Sequence, residues 1–409
     1  MAIHLVRWIA LGILSGLLAG ASSWLFLEGL DRVTDFRLDH RWIVYLLPVA
    51  GLAIGLAYHY VGGRAVQGTP LLLDEIHEPS AGVPGRMAPM VLGGTWLTHL
   101  FGGSAGREGV ALQMSGSLTD TASRLLRLDE ADRRNLLIAG IGGGFGAVFG
   151  VPLAGAVFGL EVLTIGRLRY EALVPSLAAA LTGDLVVKGL GYDHPVRAQL
   201  DIDLEWWLLA RVALAGVAFG LASVAFVSLT HTVKRLGARR VPWAPARLVI
   251  GGLAVLGLMA LFGRDYLGLS TPLIERGLLG EHLGFQVFAL KIVFTAVTLG
   301  SGFPGGEVTP LFVTGTTLGA ALASPLGLDP KVLAAVGFVA VFAAAANTPL
   351  ACTIMGIELF GSGATRAVAV GCVIAYVCSA HQGIFHTQRI DVPKRARVAR
   401  RPGRAAGGR

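Results

Sequence analysis

Charge is what this 409-residue chain has least of. Asp, Glu, Lys and Arg together make 15% of it, against 54% hydrophobic residues. A soluble domain of this length carries about 25% charged residues, so a soluble globular protein is excluded. Cysteine is nearly missing as well. Cys352, Cys372 and Cys378 all sit in apolar runs, and an odd set so placed reads as small core residues rather than a disulfide framework. No nucleophile triad and no phosphate-cradling loop can be found, which leaves an enzyme reading without support. His77 and His99 read as ordinary interfacial or packed histidines, because no carboxylate–histidine spacing recurs. Neither a metal nor a cofactor is expected.

What the chain does have is long apolar runs. Residues 5–30, 42–61, 208–229 and 248–261 are long enough, or nearly so, to cross a bilayer. The fold class is therefore all-α and polytopic in the membrane. The 57 glycines suit closely packed and broken membrane helices. No cleavable signal is expected, since the first apolar run is long enough to stay as an anchor. The net charge of +8 is concentrated in residues 124–134, 234–247 and 394–409. Short basic loops stay cytoplasmic, so these three segments and both termini are expected on that side. A basic tail beside a membrane meets anionic lipid rather than nucleic acid.

Taken in order, residues 1–61 read as two helices joined by a charged loop at 31–41. Residues 62–84 carry Gly68, Thr69, Pro70, Pro79 and Pro84, and fit either a re-entrant segment or an ordinary loop. Residues 87–101 form a short helix. Pro152 splits the run 142–162 into two half-helices, and residues 172–190 close the first half. Residues 201–205 with Trp206 and Trp207 look like an interfacial approach to the next long helix.

The stretch 102–118, GGSAGREGVALQMSGSL, sets Arg107 and Glu108 among glycines at the threshold of an apolar helix. A helix start offers unpaired N–H groups and a positive dipole end, which together make an anion seat. A first-turn Glu in a soluble protein merely complements the dipole. Within a membrane an ionisable residue is functional by default. The pattern recurs: Gly305-Gly306-Glu307 matches Gly106-Arg107-Glu108 at an offset of 199. Residues 342–358 match 145–161 at seven of seventeen positions, including Pro349 for Pro152 and Glu358 for Glu161. The loop after the first copy holds four arginines, whereas residues 324–331 hold only Asp329 and Lys331. Such asymmetry is expected of inverted repeats, which place their ion site between helix ends of both halves. The boundaries follow: a first repeat at 1–200, a second at 201–388, and a basic tail at 389–409.

At these motifs the chain resembles the CLC superfamily of anion channels and proton-coupled exchangers. The motifs are GREGV at 106–110, GxxxAxxxxPLAG at 143–155, GGEVTPLF at 305–312, NTPLAC at 347–352 and GIELFG at 356–361. The resemblance implies a CLC-type inverted-repeat bundle with broken and re-entrant helices. It further implies a homodimer in the cell inner membrane with one pore per subunit. Glu108 matches the gating glutamate, which competes with the anion and carries protons. GGEVTP beside GREGV is similar to the fluoride-exporting branch, in which the Glu and Thr of that motif, here Glu307 and Thr309, serve the anion and proton path. The paired Glu-Glu of proton-coupled chloride members is missing, because Val162 follows Glu161. The late tyrosine is replaced by Phe385, and the first-motif serine by Thr69 or Pro70. The expected anion-binding groups are Gly106, Arg107, Gly109, Val110, Thr69, Gly306, Val308, Thr309 and Phe385. Thr309 can equally be a simple helix cap beside Pro310. Fluoride/proton antiport is the favoured activity, with a chloride/proton exchanger or passive chloride channel next. A membrane sensor or assembly protein that kept the fold without transport is disfavoured by Glu108 and Glu307.

Overall fold

A computed structural model of the chain describes residues 2–194, 199–200 and 205–394. The interfacial approach read at 201–204 and the tail at 395–409 lie outside the described residues. The first half contains α1 (Ala2–Asp39), α2 (Leu47–Val61), α3 (Thr69–His77), α4 (Met87–Leu100), α5 (Glu108–Leu125), α6 (Glu130–Phe149), α7 (Pro152–Glu161) and α8 (Leu173–Gly189). The second half repeats the order with α9 (Trp206–Arg240), α10 (Ala244–Phe262), α11 (Thr271–Leu278), α12 (Phe285–Gly300), α13 (Val308–Leu326), α14 (Pro330–Ala346), α15 (Pro349–Phe360) and α16 (Thr365–Cys378). Each helix thus has its counterpart eight places later, long with long and short with short. Among the described residues, five helical segments are long and apolar enough to cross a membrane: Ala2–Asp39, Arg41–Val61, Tyr170–Gly189, Trp206–Arg240 and Ala244–Phe262. The only strands among the described residues are β1 (Thr164–Ile165) and β2 (Arg389–Ile390), paired in parallel.

The two halves are bonded backbone to backbone at the turns before α5 and α13. Gly106 N–H donates to Gly306 O at 2.6 Å, and Gly306 N–H returns a bond to Gly106 O at 2.8 Å. An antiparallel pair between equivalent residues is what a two-fold axis produces, so α5 and α13 leave the centre in opposite senses. This pair also corrects the register read from sequence. The structural offset here is 306 − 106 = 200, not 199, and the helices begin at Glu108 and Val308. Glu307 is therefore the counterpart of Arg107, not of Glu108. The shared Gly-x-Glu spelling misled, because the glycine making the close approach fixes the register and the carboxylate does not.

Three further readings change. The loop expected at 31–41 is mostly helix: α1 continues to Asp39. It is held there by Tyr192 Oη donating to Asp31 at 2.9 Å, and by Arg37, buried under Gly268. The basic run from Lys234 likewise continues α9 to Arg240, where cations complement the negative end of the helix dipole. Residues 62–84, read as either a re-entrant segment or an ordinary loop, are a short broken-off helix and not a plain loop. A 3₁₀ turn leads to Gly68 in the left-handed region, φ 65°, and the nine-residue α3 follows with Leu71, Leu72, Leu73 and Ile76 buried. The expected break at Pro152 is present. α6 ends at Gly150 with φ 70°, α14 ends at Asn347 with φ 60°, and Pro152 and Pro349 start the next helices.

α7 and α15 are joined by exchanged caps. Glu161, at the end of α7, accepts from Leu350 N–H at 3.1 Å and Ala351 N–H at 2.8 Å at the start of α15. Glu358, near the end of α15, accepts from Leu153 N–H at 3.0 Å and Ala154 N–H at 2.8 Å at the start of α7. Each carboxylate satisfies two orphan donors of the other helix and sits where the dipole favours negative charge. All three cysteines are free thiols, Cys352 and Cys372 being buried.

Candidate functional site

Glu108 is the first residue of α5 and is fully buried. Its carboxylate lies on the N-terminus of α13, in the opposite half. Thr309 N–H donates to Oε2 at 2.9 Å and the Thr309 hydroxyl donates to Oε1. Arg107 N–H adds a third bond at 3.1 Å, and the Arg107 guanidinium stands 3.6 Å away. The Thr309 hydroxyl therefore does not cap its own helix. It serves, with the backbone, as half of an anion seat, and the occupant of that seat is a carboxylate.

Glycine is required where the two turns meet. A Cβ on Gly306 would stand 3.0 Å from Gly109 N and 3.1 Å from Glu108 N, and one on Gly106 would stand 2.9 Å from the Glu108 carboxylate. Bare backbone at both positions leaves the first N–H groups of α5 reachable.

Beside this seat, reached through Gly109, lies a cavity of about 310 Å³. Thr69, Gly109, Gly306, Glu307, Val308 and Phe385 line it, whereas Glu108, Thr309, Gly106, Arg107 and Val110 do not. The structure thus divides the expected residues into two groups. One lines the cavity and the other does not. Thr69 Oγ1 faces α5, accepting from Gln113 at 3.3 Å, and Phe385 presents its ring edge-on to Phe158, 6.5 Å between centroids. Val110 is buried in the packing behind the turn. Among the described residues Glu307 makes no hydrogen bond or ion pair through its carboxylate, and Lys234 is the charged group acting on it. On the far side Arg107 faces Tyr192, Asp31 and His194. The Glu108 carboxylate thus stands between Arg107 and Thr309, and its chain neighbour Gly109 lines the cavity.

A family model for the voltage gated chloride channel matches residues 50–380. The chain belongs to that family. Among voltage gated chloride channel relatives, a chloride/fluoride channel protein of Pseudomonas syringae pv. tomato is 46% identical over 403 residues, spanning 96% of this chain and 89% of the relative. The H(+)/Cl(-) exchange transporter ClcA of Vibrio cholerae is 28% identical, over 85% of this chain and 81% of its own. A solved CLC-type fluoride/proton antiporter superposes with a TM-score of 0.92 at 35% identity, over 95% of this chain and 99% of its own.

Sequence reasoning missed several residues that stand around this cavity or beside Arg107. His231, Lys234, Arg247 and His386 line the cavity. Lys234 and Arg247 were visible only as members of a basic segment, and His386 only as the neighbour of Phe385. Tyr192 and Asp31, 161 positions apart, carried no shared signal at all.

Proposed function

We propose that the protein exports fluoride across the cell inner membrane in exchange for protons, with Glu108 as the gate and proton carrier. The supporting observation is the Glu108 carboxylate seated on the N-terminus of α13, bonded by both donors of Thr309, next to Gly109, which lines the cavity. A carboxylate in that place excludes a permeating anion while charged, and leaves the seat when it takes a proton or when an anion displaces it. Fluoride holds its water tightly, so removing that water needs several strong donors at once. The first N–H groups of α5 and α13, with the Thr309 hydroxyl, supply them.

Glu307, facing the cavity without a partner, is the second proton station on the side of Lys234. Thr69, Val308 and Phe385 line the approach, and Phe385 brings no hydroxyl. The relatives named for fluoride support this anion. The relative named for chloride makes chloride the competing outcome. Basic loops place both termini in the cytoplasm, and the family resemblance brings a homodimer of two-repeat subunits divided near residue 200, with the basic tail meeting anionic lipid.

The experiment is flux from proteoliposomes. An outward fluoride gradient with no other ion gradient should drive proton uptake, and fluoride should leave far faster than chloride. Glu108→Gln should abolish the proton uptake. Equal fluoride and chloride fluxes would remove the fluoride assignment, and undiminished proton uptake in Glu108→Gln would refute the role of Glu108.

A further inference from the structure

The turn that delivers Glu108 is held by buried polar side chains that play no part in the path described above. Ser104 N–H donates to Thr298 Oγ1 at 3.1 Å, and the Ser104 hydroxyl pairs with Thr295 Oγ1 at 3.0 Å. The same hydroxyl accepts from Lys291 Nζ at 3.0 Å. His99 Nε2 meets Ala105 O at 3.1 Å, and Gly106 follows with its bonds to Gly306. Ser104, His99, Lys291, Thr295 and Thr298 are all 0% exposed. Lys291 also donates to Gly268 O and Ser270 Oγ, each at 2.9 Å, and to Tyr266 O at 3.3 Å. All its acceptors are neutral, and no carboxylate pairs with it among the described residues. Burying a lysine among neutral groups is costly.

Packing alone does not account for that cost, because the other repeat does without it. At the offset of 200 that the central glycines fix, Lys291 corresponds to Val91, Ser104 to Pro304 and His99 to Leu299. The second turn, built on the same backbone, lacks the lysine, the serine and the histidine, although Thr95 and Thr98 stand where Thr295 and Thr298 do. The clamp stands only behind the turn that carries Glu108. Loosening the turn by a fraction of an ångström would move the carboxylate off Thr309, and misplacement of about 1 Å from a remote change costs on the order of a hundredfold in well-oriented reactions.

We infer that Lys291, acting through Ser104, is a positioning residue that fixes the Glu108 turn so that its carboxylate returns to Thr309 after each proton, and so sets the number of protons moved per anion. The inference rests on the reading of Glu108 as a proton-carrying gate. With the clamp gone the anion slips past an unseated carboxylate, and no proton is carried for it.

The test measures fluoride and proton fluxes together in proteoliposomes. Wild-type protein that moves no protons would sink the exchange reading itself, before any variant is made. With exchange established, Lys291→Met should keep moving fluoride while its proton-to-fluoride ratio falls on the order of tenfold. Ser104→Ala should lower the ratio in the same direction, and it decides the matter if Lys291→Met does not fold. Ser270→Ala takes one acceptor from Lys291 without touching the turn, and should lower the ratio less than Ser104→Ala. A proportionate fall of both fluxes with the ratio kept, or equal effects of the two serine variants, would overturn the inference.

Discussion

Glu108 and Thr309 lie 201 positions apart and share two hydrogen bonds. That pairing locates the chemistry at single residues. Removing the Thr309 hydroxyl while keeping its N–H takes away one bond to a charged group, worth about 1.5–3 kcal/mol. Thr309→Val is therefore expected to hold its gate less well, read as more fluoride flux unaccompanied by protons. Glu307 has no hydrogen-bond or ion-pair partner for its carboxylate among the described residues, so Glu307→Gln should leave the melting temperature of the purified protein unchanged while proton uptake falls. A loss of folding in Glu307→Gln would show that the side chain does structural work instead. The sequence placed both glutamates and Thr309 near one centre, because glycine-flanked charge at a helix start is legible as a motif. It could not show that Glu108 reaches across to the other repeat's helix. That depends on backbone register, and a shared spelling one residue out of step, Gly-x-Glu, concealed it.

At the scale of elements, the exchanged caps of Glu161 and Glu358 hold α7 and α15 together. Glu161→Ala would leave the N–H groups of Leu350 and Ala351 without acceptors, at a cost of about 1–3 kcal/mol. The expected outcome is a lower melting temperature with the proton-to-fluoride ratio unaltered; a changed ratio would place Glu161 on the proton route. The break of the helices at Pro152 and Pro349 was legible from proline alone, and the match of Glu161 with Glu358 from simple identity. Their function as mutual caps was not, since each cap is supplied by the other half of the chain. One repeat signal went unread: Thr69-Pro70-Leu71 recurs as Thr271-Pro272-Leu273 at the starts of α3 and α11. A three-residue match at an offset of 202, rather than 199 or 197, falls out of phase with the stronger motifs because the intervening loops differ in length. The extension of α1 to Asp39 was hidden for another reason, since Asp31 and Arg37 are met by Tyr192 and Gly268, segments far along the sequence.

The described residues form two similar eight-helix halves facing opposite ways, and the orientation of the molecule can be tested directly. Ala131 is exposed on the first turn of α6, in the basic segment expected to be cytoplasmic. A single cysteine there, in a background without Cys352, Cys372 and Cys378, should resist impermeant thiol reagents in intact cells and react once they are opened. Labelling from outside would reverse the assigned topology. The exchanged caps bear on something else, the time course of synthesis. When the first half has left the ribosome, the start of α7 still has two peptide donors in a lipid environment with nothing to accept from them. Their acceptor, Glu358, is 204 residues further along from Ala154. The first half is thus an unfinished object for as long as the second takes to be made. Contacts so distant in sequence form late, and the interval is when a stalled chain is open to proteolysis. A chain truncated after α8 should be degraded quickly in a pulse-chase, and one carrying the second half in trans should persist longer.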